Sequence, residues 1–315
     1  MNVAEHNHIQ HHLPPERFGA IRDVVPISVG LSGAGVYSVT TETGDYVLRI
    51  LPPHEFDIWL RQLAVLRLTS EHGIAPSLEH VDEAGRATIS TRIAGPPFGA
   101  ALSDPVARGR AIGSLVQQIA RLHRLSIDGY DRLHPAEVAL ALWRAQSARS
   151  GFPRWAMSFG EALERCAGLV ANDPRWVLSH NDLNPGNVLW DGTRVWLVDW
   201  TASGMTHPYY DLATITMFLQ ISDAGALALL AEQEGTTPTA EQGETFRALR
   251  RVAAILSGLM ILKLTSDDAL HAPEHIADAP TLGECYAKMR SGALDLQSEA
   301  GRCMFGLALL RSASS

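Results

Sequence analysis

The segment WVLSHNDLNPGNVLWDGTRVWLVDW, residues 176–200, decides how the chain is read. His180-Asn181-Asp182-Leu183-Asn184-Pro185-Gly186-Asn187 has the form H-x-D-x-x-x-x-N. It leads into the apolar run Val188-Leu189-Trp190, an Asp191-Gly192 turn, and a second apolar run, Val195-Trp196-Leu197-Val198, that ends on Asp199. Two short β-favouring runs across an Asp-Gly turn predict a β-hairpin. A hairpin of this length returns Asp199 beside Asn187. One carboxylate and one amide oxygen can then share an ion, with a second carboxylate, that of Asp182, a few residues off. Hard oxygen ligands of this kind suit Mg²⁺, which keeps part of its water shell and bridges phosphate oxygens. A separate carboxylate can accept the hydrogen bond of an attacking hydroxyl and orient it in line with a γ-phosphate. The segment therefore points to phosphoryl transfer from ATP. Asn-Pro-Gly-Asn and Asp-Gly are also ordinary turn chemistry. Turn chemistry alone does not explain a histidine, two aspartates and an asparagine flanking two apolar strands at this spacing.

Upstream of this segment, residues 22–93 are strand-like and rich in turns. DVVPISVG (23–30), VYSVTT (36–41) and DYVLRIL (45–51) are β-favouring, and Thr41-Glu42-Thr43-Gly44-Asp45 reads as a hairpin turn between the last two. Residues 54–73 place Trp59, Leu60, Leu63 and Leu66 at helical spacing and end on Gly73, so they predict a helix. SLEHVD (77–82) and ATISTRI (87–93) predict two more strands. Ala94-Gly95-Pro96-Pro97 reads as a connector. Past it, helices are expected at 104–125, 136–149 and 159–171, with several more from 209 onward. Strands and helices are segregated rather than alternating, which gives an α+β class. The expected organisation is a frayed start at 1–20, a small β-rich lobe over 21–95 and a larger, mainly helical lobe over 96–315.

Composition narrows the function. The 315 residues are 46% hydrophobic and 19% charged, an ordinary globular balance. A net charge of -8 argues against a nucleic-acid partner, which would require a phosphate-neutralising surface. Cys166, Cys285 and Cys303 are too scattered for a disulfide framework or a structural zinc site. The first residues, MNVAEHNHIQHHLPPE, lack the apolar core of a signal peptide, and the longest apolar runs are too short to span a bilayer. A soluble, cytoplasmic protein without a membrane partner is expected. His6, His8, His11 and His12 are assigned to the frayed terminus. Lys263 and Lys288 are the only lysines. Any chemistry that depends on a lysine earlier in the chain is thereby excluded.

A second signal is Gly30-Leu31-Ser32-Gly33-Ala34-Gly35-Val36, between two predicted strands. Backbone N–H groups near Ser32, Gly33 and Gly35 could approach phosphates there. Tyr46-Val47-Leu48-Arg49-Ile50 resembles the third strand of kinases, where a basic residue reaches the α/β-phosphates. Given the lysine census, that residue can only be Arg49.

With these motifs the chain resembles the aminoglycoside phosphotransferase / choline kinase family over about residues 22–260. That family shares the bilobal, protein-kinase-like fold, and the H-N-D-L-x-P-x-N-V-L segment is the specific part of the likeness. The resemblance implies Asp182 as catalytic base and Asn187 and Asp199 as ligands of Mg²⁺. It further implies Arg49 on the phosphates of ATP, and the backbone around Thr91 and Ile93 on adenine. His180 and Asp211 would support the catalytic loop, and His123 matches a structural helix position. Two residues depart from the family pattern. The helix after Arg49 usually offers a glutamate to the basic residue, but Gln62 stands there and Glu55 comes too early. Many choline-kinase-like members carry a glutamate two residues after the metal aspartate, where this chain has Thr201.

Protein kinase activity is excluded on spacing, since eleven residues between Asp199 and Asp211 leave no room for an activation loop. A small-molecule hydroxyl acceptor remains. From residue 201 onward thirteen acidic residues face eight basic ones, which favours a cationic acceptor such as an aminoglycoside or an amino-alcohol. All seven tryptophans lie at or before Trp200, so Trp143 and Trp155 are the ones available to an aromatic cage for a choline-type ammonium. A choline-, ethanolamine- or thiamine-type metabolite kinase is the alternative, and a catalytically silent nucleotide-binding protein a more distant one.

Overall fold

In the computed structural model, which describes residues 9–27, 34–52, 56–171 and 173–314, the early β-favouring runs pair into one antiparallel sheet. Its strands are β1 (Ile21–Pro26), β2 (Gly35–Thr41), β3 (Asp45–Ile50), β4 (Leu78–Asp82) and β5 (Ala87–Thr91), in the order β1-β2-β3-β5-β4. The turn at Glu42–Gly44 is closed by the Thr41 N–H donating to Gly44 O at 2.9 Å. Strand alternation sends Leu48 to one face, where it is fully buried, and Arg49 to the other.

The expectation of a frayed start fails for residues 9–18. Ile9, Leu13 and Phe18 are buried against Val39, Leu48 and Ile89, on the sheet face that would otherwise meet water. The short helix α1 (Pro15–Phe18) belongs to this cover. His12 is also buried, with Nδ1 2.7 Å from Asp82 Oδ2. The polar, histidine-rich composition conceals three apolar residues spaced to pack on the sheet. His6 and His8 lie outside the described residues.

The helix α2 (Phe56–Glu71) buries Trp59 and Leu63 beside Leu51. After the connector come α3 (Phe98–Ala101) and α4 (Pro105–Leu122), then α5 (Pro135–Gln146) and α6 (Phe159–Val170). The segment at 176–200 divides its pairing. β6 (Val177–Ser179) pairs with β9 (Gly204–Thr206), while β7 (Val188–Trp190) and β8 (Val195–Leu197) form the hairpin. Five helices follow: α7 (Tyr210–Phe218), α8 (Asp223–Glu234), α9 (Ala240–Lys263), α10 (Leu282–Arg290) and α11 (Glu299–Ser312).

The chain divides into two compact units. The first joins Met1–Leu122 to Gly186–Ser203, and the second joins His123–Pro185 to Gly204–Ser315. Compactness thus groups α3, α4 and the β7–β8 hairpin with the sheet, whereas the composition shift in the sequence falls at residue 95. The reason is local contact. Gln118 of α4 donates to Val195 O at 2.9 Å, Leu197 N–H donates to Ile74 O at 2.9 Å, and Pro97 bridges to Leu189. Gly95 fits only because it has no side chain, since a Cβ there would lie 2.0 Å from Trp190 O.

In the second unit α9 is the central helix, packing on α5, α7 and α11. Its apolar run from Val252 to Leu262, too short to cross a bilayer, is largely buried core. α9 and α11 approach closely at a pair of glycines, where a Cβ on Gly258 would sit 3.0 Å from Gly306 O. Among the described residues no helix is long and apolar enough to cross a membrane.

Candidate active site

The first unit brings together three of the singled-out positions. Arg49 lies in the middle of the sheet, paired with Val36 on one side and Thr88 on the other. Its Nη2 is 3.0 Å from Asp199 Oδ1 and donates to Thr201 Oγ1 at 3.0 Å. Thr201 Oγ1 in turn donates to Asp199 Oδ1 at 2.6 Å. Asp199 has φ +64°, in the left-handed region that Asp and Asn tolerate better than other side-chain-bearing residues. The residue caps a 3₁₀ turn, Trp200–Ala202, whose Trp200 is buried and on which α2 packs.

Asn187 reaches the same end of the hairpin. The register pairs Val188 with Leu197, and Val198 N–H donates to Asn187 O at 3.0 Å. Asn187 therefore stands opposite Val198, one residue before Asp199. The hairpin turn is held by Asp191, which accepts from the backbone N–H of Thr193 and Arg194 and from Trp196 Nε1. Gln62, which stands where the family pattern puts a carboxylate partner for the basic residue, is 6% exposed, and its Oε1 accepts no hydrogen bond from the described residues. Among the described residues the carboxylate that meets Arg49 is that of Asp199.

The remaining nucleotide-side positions scatter. Gly35 opens β2 opposite Ile50. Ser32 and Gly33 lie outside the described residues, as does Glu55. Thr91 ends β5 with its N–H donated to Ser77 O at 2.9 Å and its hydroxyl to Glu79 at 3.0 Å. Both its donors are thus committed to the sheet edge. Ile93 follows in the connector, half-buried.

The second unit holds the loop that carries Asp182. It is built around Asp211 in the first turn of α7, which is fully buried. Asp211 Oδ2 accepts the backbone N–H of His180 at 2.9 Å and lies 3.1 Å from His123 Nε2, while Oδ1 accepts the backbone N–H of Asn181 at 2.9 Å. Burial alone would push this carboxyl up. Hydrogen bonding and charge from His123 and His180 pull it below the usual carboxylate range. Asn181 is held at φ +66°, and its Oδ1 accepts from Thr206 Oγ1 at 2.7 Å. His180, also buried, accepts the Asp182 N–H on Nδ1 at 3.4 Å. Leu183 is fully buried and anchors the loop from below.

Two side chains of this neighbourhood carried no assignment in the sequence. Asn184 Nδ2 donates to Asp182 Oδ1 at 3.1 Å. Thr206 ties β9 to Asn181 from outside the motif. The repeated Asn in N-D-L-N was the available signal for Asn184. No signal marked Thr206, because the pairing of β6 with β9 was not legible.

Trp143 and Trp155 are engaged in packing. Trp143 Nε1 donates to Ala156 O at 3.0 Å and Trp155 Nε1 to Pro273 O at 3.2 Å, with Trp155 edge-on to Phe159 at 6.3 Å. The face of Phe159 is already occupied by the Arg251 guanidinium, 5.7 Å from the ring centre.

Comparison with known proteins gives the same direction. Among solved structures, a choline/ethanolamine kinase family protein from Mesorhizobium loti superposes with a TM-score of 0.69 at 18% identity, over 99% of each chain. The choline kinase LicA from Streptococcus pneumoniae matches with a TM-score of 0.66 at 12% identity, over 99% of this chain and 100% of that one. An aminoglycoside phosphotransferase from Streptomyces rimosus, in complex with ADP and streptomycin, gives 0.52 at 18% identity, over 73% and 92%. At these identities the likeness is one of fold, and the fold is the α+β, protein-kinase-like one. No curated protein matches the sequence. The profile of the phosphotransferase enzyme family, however, matches residues 23–255, so the chain belongs to that family and is a small-molecule kinase.

Proposed function

We propose that this kinase transfers the γ-phosphate of ATP to a hydroxyl of a small, cationic molecule. Asp182 orients the acceptor hydroxyl, Asn187 and Asp199 hold Mg²⁺, and Arg49 grips the nucleotide phosphates. The observation that carries the reading is the hairpin end, where Asn187 stands one residue from the level of Asp199 and Arg49 meets the Asp199 carboxylate at 3.0 Å. The donor set fits magnesium. One carboxylate and one amide oxygen leave most positions to phosphate oxygens and water, as this strongly hydrated ion prefers. When bound, the ion would neutralise charge on the phosphates. The chain's own groups do the rest.

Asp182 acts by position. Its backbone is fixed through His180 and Asp211, and Asn184 steers its carboxylate, so a hydroxyl donating to it meets a preset acceptor. Gly35 and Ile93 are assigned to the nucleotide with Ser32, Gly33 and Thr91. The committed donors of Thr91 leave most of the adenine contact to Ile93. A cytoplasmic setting suits a kinase that draws on ATP.

Asp211, Asp223, Glu234, Asp267, Glu284 and Glu299 are tied up in internal ion pairs, loop braces and caps, so the acid excess beyond residue 201 is partly structural. The amino-alcohol version is favoured by the whole-length match to a choline/ethanolamine kinase family protein, against 73% of this chain for the aminoglycoside enzyme. ATP consumption, with mass detection of phosphorylated product, is to be measured against a panel of amino-alcohols and aminoglycosides. Acceptor-dependent turnover with one panel class is expected. Nucleotide binding with no product from either class would overturn the reading in favour of a silent nucleotide-binding protein.

A further inference from the structure

We infer that Thr201 is a positioning residue that locks Arg49 and Asp199 into one hydrogen-bonded unit, replacing the carboxylate that α2 does not supply. The inference rests on the reading of Arg49 as the phosphate contact.

Three atoms carry it. Arg49 Nη2, Thr201 Oγ1 and Asp199 Oδ1 form a closed triangle with sides of 3.0, 2.6 and 3.0 Å. A hydroxyl can donate once and accept at the same time. Here it accepts from the guanidinium and donates to the carboxylate, so it satisfies both neighbours and fixes the angle between them. Arg49 and Thr201 meet the Asp199 carboxylate on the same oxygen, Oδ1.

Among the described residues no carboxylate of α2 pairs with Arg49. α2 packs on this turn, and its Gln62, whose buried Oε1 takes no hydrogen bond from the described residues, cannot offer Arg49 a charge. A guanidinium on a flexible stem loses less entropy per hydrogen bond when its fork is already held. With Gln62 rather than a carboxylate at that position of α2, the hold comes from the turn after β8. A glutamate at position 201 would put a second negative charge against Asp199. Threonine instead supplies a neutral bridge, and Arg49 balances the one charge present.

Thr201 itself is exposed, so a change there should not threaten folding. Thr201→Val keeps the shape and removes both hydrogen bonds, and Thr201→Ser keeps the hydroxyl. The readout is ADP affinity by calorimetry, with and without Mg²⁺, alongside thermal unfolding. Thr201→Val should weaken metal-free ADP binding about five- to tenfold, with the melting temperature unchanged and Thr201→Ser restoring most of the affinity. In an Arg49→Met background, Thr201→Val should cost nothing further, because its effect runs through the guanidinium. If Arg49→Met lowers ADP affinity as expected while Thr201→Val does nothing, or adds its full effect to Arg49→Met, the inference is overturned and the phosphate contact stands. If Arg49→Met itself leaves ADP affinity unchanged, the phosphate contact falls, and the inference falls with it.

Discussion

The loop before Asp182 and the turn after Asp199 each place an acidic residue next to a left-handed backbone, yet they are held in opposite ways. The first is anchored from below. A fully buried carboxylate, Asp211, takes two backbone N–H groups and an imidazole, so the loop cannot shift without stranding buried donors. The second is held side chain to side chain. Asp199 is 34% exposed and shares its Oδ1 with Arg49 and Thr201, all of which can exchange partners. The contrast follows the chemistry each would serve. A group that orients a nucleophile gains from a fixed position. A group that receives a charged ligand must trade its protein contacts for that ligand when it arrives.

Asp182→Asn should lower turnover by about 10²–10⁴-fold, the usual loss for a positioned acid–base group, while leaving ADP affinity and melting temperature near wild type. Turnover within a few-fold of wild type at saturating substrates would remove Asp182 from the reaction. Asp211→Ala should cost about 3–5 kcal/mol of stability, because it leaves a buried imidazole and two N–H groups without their acceptor. Denaturant titration reads this directly. A loss below 1 kcal/mol would mean the loop is not anchored as described.

On the other side the balance should invert. Asp199→Ala should leave stability within about 1–2 kcal/mol, as for a partly exposed ion pair. It should still weaken Mg²⁺-dependent nucleotide binding on the order of 10²-fold. Unchanged calorimetric affinity would exclude it as a metal ligand. Arg49→Lys keeps the charge but not the planar fork, and a loss of about tenfold in ATP use is expected. Wild-type kinetics would mark Arg49 as a plain structural arginine.

The smallest expected effect is on the pH dependence of stability. The Asp211 carboxyl lies below its usual value in the folded chain. A depressed carboxyl binds protons more readily when unfolded, so its contribution is complete above a pH of about 4 and lost as pH falls through the lowered value. The acid limb of the stability curve should therefore flatten in Asp211→Asn. An unchanged slope below pH 4 would assign the acid sensitivity to other groups, such as Asp173, which its hydrogen bonds to Arg175 also hold well below the usual carboxylate range.

Much of this was legible from residue types at fixed spacing. The Asp-Gly turn fixes the β7–β8 hairpin, because a two-strand connection of that length allows few registers. That alone sets Asn187 opposite Val198, one residue before Asp199. The alternation of Tyr46-Val47-Leu48-Arg49-Ile50 likewise sends Leu48 and Arg49 to opposite faces. The early strands and the helices at 105–122, 135–146 and 159–170 followed from turn residues and apolar periodicity, which act over short stretches of chain.

Tertiary structure decided the rest. Whether Ile9, Leu13 and Phe18 stay loose or cover the sheet depends on an apolar face that those residues do not themselves encode. The partner of Arg49 could not be found by scanning the following helix, since Asp199 and Thr201 lie about 150 residues away in sequence. The pairing of β6 with β9, which brings Thr206 to Asn181, joins strands too short to announce themselves. Local propensity and spacing specify elements and their faces. Which distant side chains share a charge or a hydrogen bond depends on how those faces close on one another, and only the folded chain settles that.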